Sequence, residues 1–144
     1  MADYYTHFSV AVRLRGKRAA AWASDELFRR RRRRQELIDA SDDDAADAIG
    51  IDFDSNVENG CLYITDNGAT GNVEHVAEFL QALMKGGYVK DPVVVQWADS
   101  CSRPRPDAFT GGAVVVTSGK LYWFIVPDLV EKKLAALERG RTRA

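Results

Sequence analysis

The sequence predicts a single α+β domain: a mostly antiparallel sheet with about three helices packed on it, in the order β-α-β-β-α-β-β-β-α. Three observations predict it. Apolar residues alternate with period two, or run continuously and β-branched, in several short segments separated by turn-forming clusters. Two other segments carry a helical apolar stripe, and a third is rich in alanine. The helices fall between groups of strands without strict alternation, which favours antiparallel pairing over a parallel βαβ sheet. At 144 residues the chain can bury one core without disulfides or metals. Residues 1–144 therefore read as one domain, with 140–144 as a frayed tail and no internal repeat.

The elements follow in order. In residues 4–14, Tyr4, Thr6, Phe8, Val10, Val12 and Leu14 share one parity, as a half-buried strand requires. After Gly16, the alanine-rich run through Leu27 and Phe28 predicts a long first helix ending near Ile38. Residues 51–54 and 61–65 read as a hairpin, separated by Ser55, Asn56, Asn59 and Gly60. Asn72 can cap a second helix whose Val73, Val76, Ala77, Leu80, Leu83 and Met84 form one stripe, stopped by Gly86 and Gly87. Pro92 opens a strand over residues 93–98, and an irregular segment covers 99–112. Residues 113–117 and 121–126 are apolar at nearly every position and joined through Ser118-Gly119, so they read as central strands covered on both faces. Asp128 and Glu131 form a capping-box pattern for a last helix striped by Leu129, Val130, Leu134 and Leu137.

A net charge of -1 argues against a generally basic nucleic-acid binder. Local charge is nevertheless strongly segregated. Ten basic residues lie in 13–34 against only Asp25 and Glu26, and nine acidic residues with no basic one lie in 35–58. The six arginines Arg29, Arg30, Arg31, Arg32, Arg33 and Arg34 advance about 500° around a helix, so no side of that stretch is free of them. Arg30 and Arg34 fall inside the apolar stripe of Trp22, Ala23, Leu27, Leu37 and Ile38, so the helix is expected either to project or to break there. The arginines suit phosphate oxygens, as a nucleic-acid arm assisted by Arg13, Lys17 and Arg18. The structural alternative is a solvated helix paired with Asp42, Asp43, Asp44 and Asp47. Asp39 and those four acids have a functional reading of their own: carboxylates that imitate nucleic acid and occupy a basic groove on a partner.

Little in the chain suggests chemistry. Two cysteines, Cys61 and Cys101, lack both disulfide-framework and zinc spacing and read as reduced thiols. Residues 1–15 hold no signal-peptide core and no segment is long and apolar enough to span a bilayer, so the expected location is the cytoplasm. Cys101 would serve as a nucleophile only with His7 or His75 beside it; the structural reading is a small half-buried thiol. The loop after residue 98 displays Asp99, Arg103, Arg105 and Asp107 beside the stiffening Pro104 and Pro106, with Gly111 and Gly112 permitting a bend. Residues 66–71 superficially match a calcium loop, but Gly68 and Ala77 stand where oxygen ligands are needed. Trp97, Tyr122 and Trp123 read as packing before they read as a base-stacking platform. No catalytic site, metal or cofactor is expected.

The phrase Trp97-Ala98-Asp99-Ser100-Cys101-Ser102-Arg103-Pro104-Arg105, followed by Phe109-Thr110-Gly111-Gly112-Ala113-Val114-Val115-Val116-Thr117, carries a resemblance. With the preceding helix around Glu78-Phe79-Leu80-Gln81-Ala82-Leu83, it resembles a family of small uncharacterised proteins of bacterial phages, plasmids and integrated elements. The resemblance covers roughly residues 61–123 and brings no assigned activity. It does imply a setting, because mobile elements encode small inhibitors of host defence, anti-CRISPR proteins among them. The expected function is accordingly a non-enzymatic binding protein that inhibits a host nucleoprotein complex by occupying one of its surfaces. The alternatives are a nucleic-acid-binding accessory protein using the arginine run and an enzyme dependent on Cys101. A monomer or a homodimer is compatible with the sequence.

Overall fold

The chain runs β1 (Tyr4–Arg13), α1 (Gly16–Asp39), α2 (Asp43–Asp47), β2 (Asp54–Glu58), β3 (Cys61–Thr65), α3 (Val73–Lys85), β4 (Val93–Cys101), β5 (Thr110–Val116), β6 (Leu121–Ile125) and α4 (Val126–Arg143). A computed structural model describes residues 2–143; of the expected frayed tail, Ala144 lies outside them and α4 extends through Gly140 to Arg143. The α+β prediction holds. All six strands form one antiparallel sheet ordered β2-β3-β1-β4-β5-β6. Helices α1 and α3 pack on the same face of it, α1 toward β2 and β3 and α3 toward β4 and β5. No helix among the described residues is long and apolar enough to cross a membrane.

The core follows from the period-two and period-3.6 patterns meeting each other. Phe8 and Val12 of β1 and Leu62 and Ile64 of β3 are buried, while Tyr63 of β3 faces solvent. Val95 of β4 with Val114 and Val116 of β5 continues the same buried face. Against it α3 places Val76, Ala77, Phe79, Leu80 and Leu83, all fully buried. Asn72 starts this helix as expected: its Oδ1 accepts the Glu74 N–H at 2.9 Å and the His75 N–H at 3.4 Å. α1 adds Ala19, Ala23 and Leu27, the two alanines letting the helix approach the sheet closely.

Several expectations shift. There are four α-helices among the described residues, because Asp42 caps a short α2: its Oδ1 accepts the Ala45 N–H at 3.3 Å, with Asp43 and Asp44 in the first turn where the helix dipole favours them. Strand β2 covers Asp54–Glu58, so Ser55 and Asn56 are strand residues; Asn59 (φ 51°) and Gly60 (φ 76°) alone make the two-residue turn that fixes the register. Ile51 and Phe53, expected in that strand, are buried ahead of it in the connecting loop. β4 continues through Cys101 and β5 begins at Thr110, which shortens the irregular segment to residues 102–109. Gly111 and Gly112 therefore lie within paired strand; a Cβ on Gly112 would come 2.8 Å from the Trp97 ring, so glycine is what lets that ring lie across β5. α4 starts two residues before the expected cap, with Pro127 in the first turn, where its missing N–H has no partner to lose.

The largest correction concerns β5 and β6, expected to be covered on both faces. Among the described residues only one face of the sheet carries helices, and β6 is an edge strand. Tyr122, Trp123, Phe124 and Ile125 are all exposed, and Val94 on the helix-free face of β4 is half exposed.

The connection from β3 to α3 is held by Asp66. Its Oδ1 accepts the Phe8 N–H at 3.1 Å and its Oδ2 the Ala69 N–H at 2.7 Å, while Thr6 donates its N–H to Ala69 O at 2.9 Å. Burial pulls the Asp66 carboxyl upward, but these N–H donors and the charge of His7 outweigh it and hold it below the usual carboxylate value. A group depressed in the folded state contributes stability above its unfolded pKa, about 3.9, and loses it as pH falls through the folded value. Asp66→Asn should therefore be less stable than the parent near pH 7, and the gap should close as pH drops from about 5 into the strongly acid range. Urea melts of both proteins across that range check this; a pH-independent gap would show that the Asp66 charge contributes nothing.

Candidate functional site

The sequence offers three charged candidates, and the fold treats them differently. α1 neither projects nor breaks at the arginine run: it is continuous over Gly16–Asp39 and stays against the domain. The reason lies in Arg30 and Arg31. Arg30 sets its guanidinium 5.1 Å from the centroid of the buried Phe79 ring and donates from Nε to Glu26 Oε1 at 2.8 Å. Its aliphatic stem takes the place an apolar residue would hold in the stripe. Arg31 donates to Ser55 Oγ at 2.6 Å and to the Phe53 carbonyl at 3.3 Å, tying α1 to the start of β2. Burial lowers the pKa of Arg31 and the nearby Asp54 charge partly offsets that.

The remaining arginines also have neighbours. Arg29 pairs with Glu26, while Arg32 Nε and Arg33 Nη1 lie 3.4 and 3.6 Å from the Glu36 carboxylate. Arg34, half-buried, lines a cavity of about 320 Å³ with Asp47, Ile51, Asp52, Asn72 and His75. Glu26 sits in the middle of this set. Burial raises its pKa, and the hydrogen bonds and charges of Arg30 and Arg29 outweigh that, so its carboxyl lies below the ordinary value. The six arginines thus point at four different surroundings and do not converge on one anion-sized site.

The acidic residues are left otherwise. Asp39 accepts from Gln35 Nε2 at 2.9 Å and Asp42 caps α2. Asp39, Asp42, Asp43, Asp44 and Asp47 are all exposed, and among the described residues none of them forms an ion pair. Pairing of the arginine run with this acidic run, the structural alternative, is replaced by pairing with Glu26 and Glu36 on α1 itself. Those partners are three or four residues away on the same helix, so they are met without any loop closure. What results is a carboxylate corner formed by the C-terminus of α1 and the whole of α2.

In the third candidate, Asp99 is not displayed. It is half-buried on the helix-bearing face of β4, and its Oδ1 accepts the Thr6 Oγ1 hydrogen at 2.8 Å, which locks β4 to β1. Arg105 donates to the Tyr4 hydroxyl at 3.2 Å, while Arg103 and Asp107 are exposed on the loop and its short 3-10 turn, Pro106–Ala108. Cys101 is half-buried opposite Tyr4, and no histidine hydrogen-bonds to it among the described residues. His7 shares a 3.3 Å contact with Ser100 Oγ, and His75 Nδ1 accepts the Asp52 N–H at 3.2 Å.

Trp97, Tyr122 and Trp123 read in the sequence as packing residues, but a groove at the two tryptophans was not foreseen there. Trp97 and Trp123 meet edge to face, with ring centroids 5.9 Å apart at 71°. With Ile125, Thr6 and the first residues of α3 they line an open groove of about 490 Å³. The available signal was the unbroken apolar run from Leu121 into Val126, which passes from strand to helix without a turn residue.

The arginine geometry makes one outcome testable. Arg30→Ala removes the Phe79 contact and one of the two partners of Glu26, and should cost about 1–2 kcal/mol; Arg29→Ala, whose side chain is 70% exposed, should cost about 0.5 kcal/mol or less. Thermal melts of the two variants side by side check this, and equal losses would refute the stacking role. No protein-family model, no curated protein and no solved structure matches the chain, so its role has to be argued from these surfaces.

Proposed function

We propose that this chain is a non-enzymatic binding protein that docks its carboxylate corner onto a basic surface of a larger host protein or nucleoprotein complex. The observation that carries this reading is the asymmetry of the two charge runs. The arginines are largely engaged within the molecule, whereas Asp39, Asp42, Asp43, Asp44 and Asp47 stand exposed on adjoining helix ends with no ion-pair partner among the described residues. Clustered carboxylates on a folded support raise the local negative potential and steer association with a positive groove. In the mobile-element setting that the residue 97–117 phrase resembles, the groove is one that nucleic acid itself would occupy, and a CRISPR-type defence complex is the host target of this reading. Inhibition then follows from occupancy, with no bond made or broken.

The test is recovery of partners from bacterial host lysate on the tagged chain, with and without nuclease. The expected result is a protein partner retained after nuclease treatment and released by moderate salt. A variant carrying Asp42→Asn, Asp43→Asn, Asp44→Asn and Asp47→Asn should lose that partner while keeping its melting temperature within a few degrees, because asparagine caps a helix about as well as aspartate and α2 keeps its cap. Recovery abolished by nuclease would transfer the binding to nucleic acid and to the arginine run; undiminished recovery by the variant would remove the acidic corner from the interface.

A further inference from the structure

Among the described residues, nine of the fourteen large apolar side chains that the fold leaves exposed fall between Tyr122 and Leu137. They make up two unpartnered surfaces at one edge of the sheet. The first is α4: Val126, Val130, Leu134 and Leu137 lie three or four residues apart on one side of the helix, and Leu134 is 61% exposed. The second is the groove beside the start of α3, where Trp123 and Ile125 are exposed and Trp97 half-buried on the helix-bearing face. One is a helix without a surface, and the other a surface without a helix. α4 does not fill the groove of its own chain, since none of its residues lines it, and Val126 follows Ile125 of β6 with no connecting residue to turn it back.

We propose that a second copy of this chain covers both surfaces: two chains exchange α4, each laying its apolar stripe over the Trp97–Trp123–Ile125 groove of the other. This goes beyond the acidic-corner reading and does not depend on it. Most helix stability in proteins comes from packing of the apolar face, and the stripe of α4 meets solvent in the single chain, so a partner contributes to its formation. An 18-residue helix is about 27 Å long and about 10 Å wide, so two exchanged helices and the surfaces beneath them remove on the order of 1,000 Å² from water. That meets the lower limit for a specific interface. Charge agrees as well. Glu74, at the rim of the groove, is exposed and without an ion pair among the described residues, and Lys133 lies beside the stripe, three residues after Val130. Exchange of one identical element between two chains gives a closed twofold assembly with no free apolar arm left over.

Sedimentation velocity and native mass spectrometry of the full chain at micromolar concentration test this. The expected species has twice the mass of the chain. Leu134→Glu with Leu137→Glu, both at positions exposed in the single chain, should convert it to a monomer whose sheet and α3 remain folded by circular dichroism. Carbodiimide coupling in a mixture of isotope-labelled and unlabelled chains should join Glu74 of one chain to Lys133 of the other. A monomeric parent protein, a dimer that survives both glutamates, or Glu74–Lys133 coupling found only within one chain would each overturn the exchange.

Discussion

The structure depends on a mismatch between the width of the sheet and the helices available to cover it. Six strands spaced about 4.8 Å apart set the two edges about 24 Å from each other, whereas two helices of about 10 Å diameter cover about 20 Å. Among the described residues, helices α1 and α3 are the ones laid along the sheet, and they are placed over β2 through β5. α3 supplies the larger buried face, from Val76 to Leu83, and centres the core under β1, β4 and β5. β6 is where the cover runs out. Its residues Trp123 and Ile125 belong to the same face as the buried Val114 and to the same ladder, yet they stay partly open to solvent because no helix among the described residues lies over them.

The same shortage of apolar cover explains how the arginine run is accommodated. A helix that must keep contact with the domain past Leu27 has no further small apolar residues on its inner side until Leu37 and Ile38. Arg30 fills the gap by stacking its guanidinium on Phe79, and Arg31 by donating to the β2 entry. Glu26 and Glu36 then neutralise the residues that point outward. A consequence is that α1 is held along its length to Asp39, and α2 is placed on a firm support. The carboxylates of the corner are thereby fixed relative to one another in a way a disordered acidic tail would not allow.

Much of this was legible in the sequence, and the limits are physical. The parity of β1 and the stripe of α3 were readable because each element has one buried face and one exposed face, which writes its period into the chain. The run of residues 121–126 has no such contrast. A strand covered on both faces and an edge strand left bare spell the same continuous apolar run, and only the count of helices against strands distinguishes them. The arginine run misled for a related reason: a helical wheel scores Arg30 as a charge inside an apolar stripe, while its stem and flat guanidinium can serve as stripe when an aromatic ring lies beneath. Asp99 was read as displayed because it follows an apolar strand, but β4 outlasts that run and points it at Thr6. The exposure of Asp42, Asp43, Asp44 and Asp47 was legible; their lack of ion partners was not, since local pairing of the arginines with Glu26 and Glu36 depended on α1 remaining unbroken.

The two proposed surfaces come together at the start of α3, and that proximity bears on how a target would be held. Asp47 of the carboxylate corner lines a cavity with Asn72 and His75, and Asn72 also lines the groove of Trp97, Trp123 and Ile125, so the corner and the groove adjoin at the start of α3. Two chains joined through the groove and α4 would carry one acidic corner each, beside the shared interface. By the twofold symmetry each corner would carry the same array of charges. A target presenting two basic grooves at matching spacing would then be held by both, the second contact forming at an effective concentration set by the rigid span between corners. A target with a single groove would gain nothing from the pairing. The affinity ratio between the dimer and its Leu134→Glu, Leu137→Glu monomer would accordingly report how many grooves the partner offers, because the acidic corner itself is untouched by those substitutions.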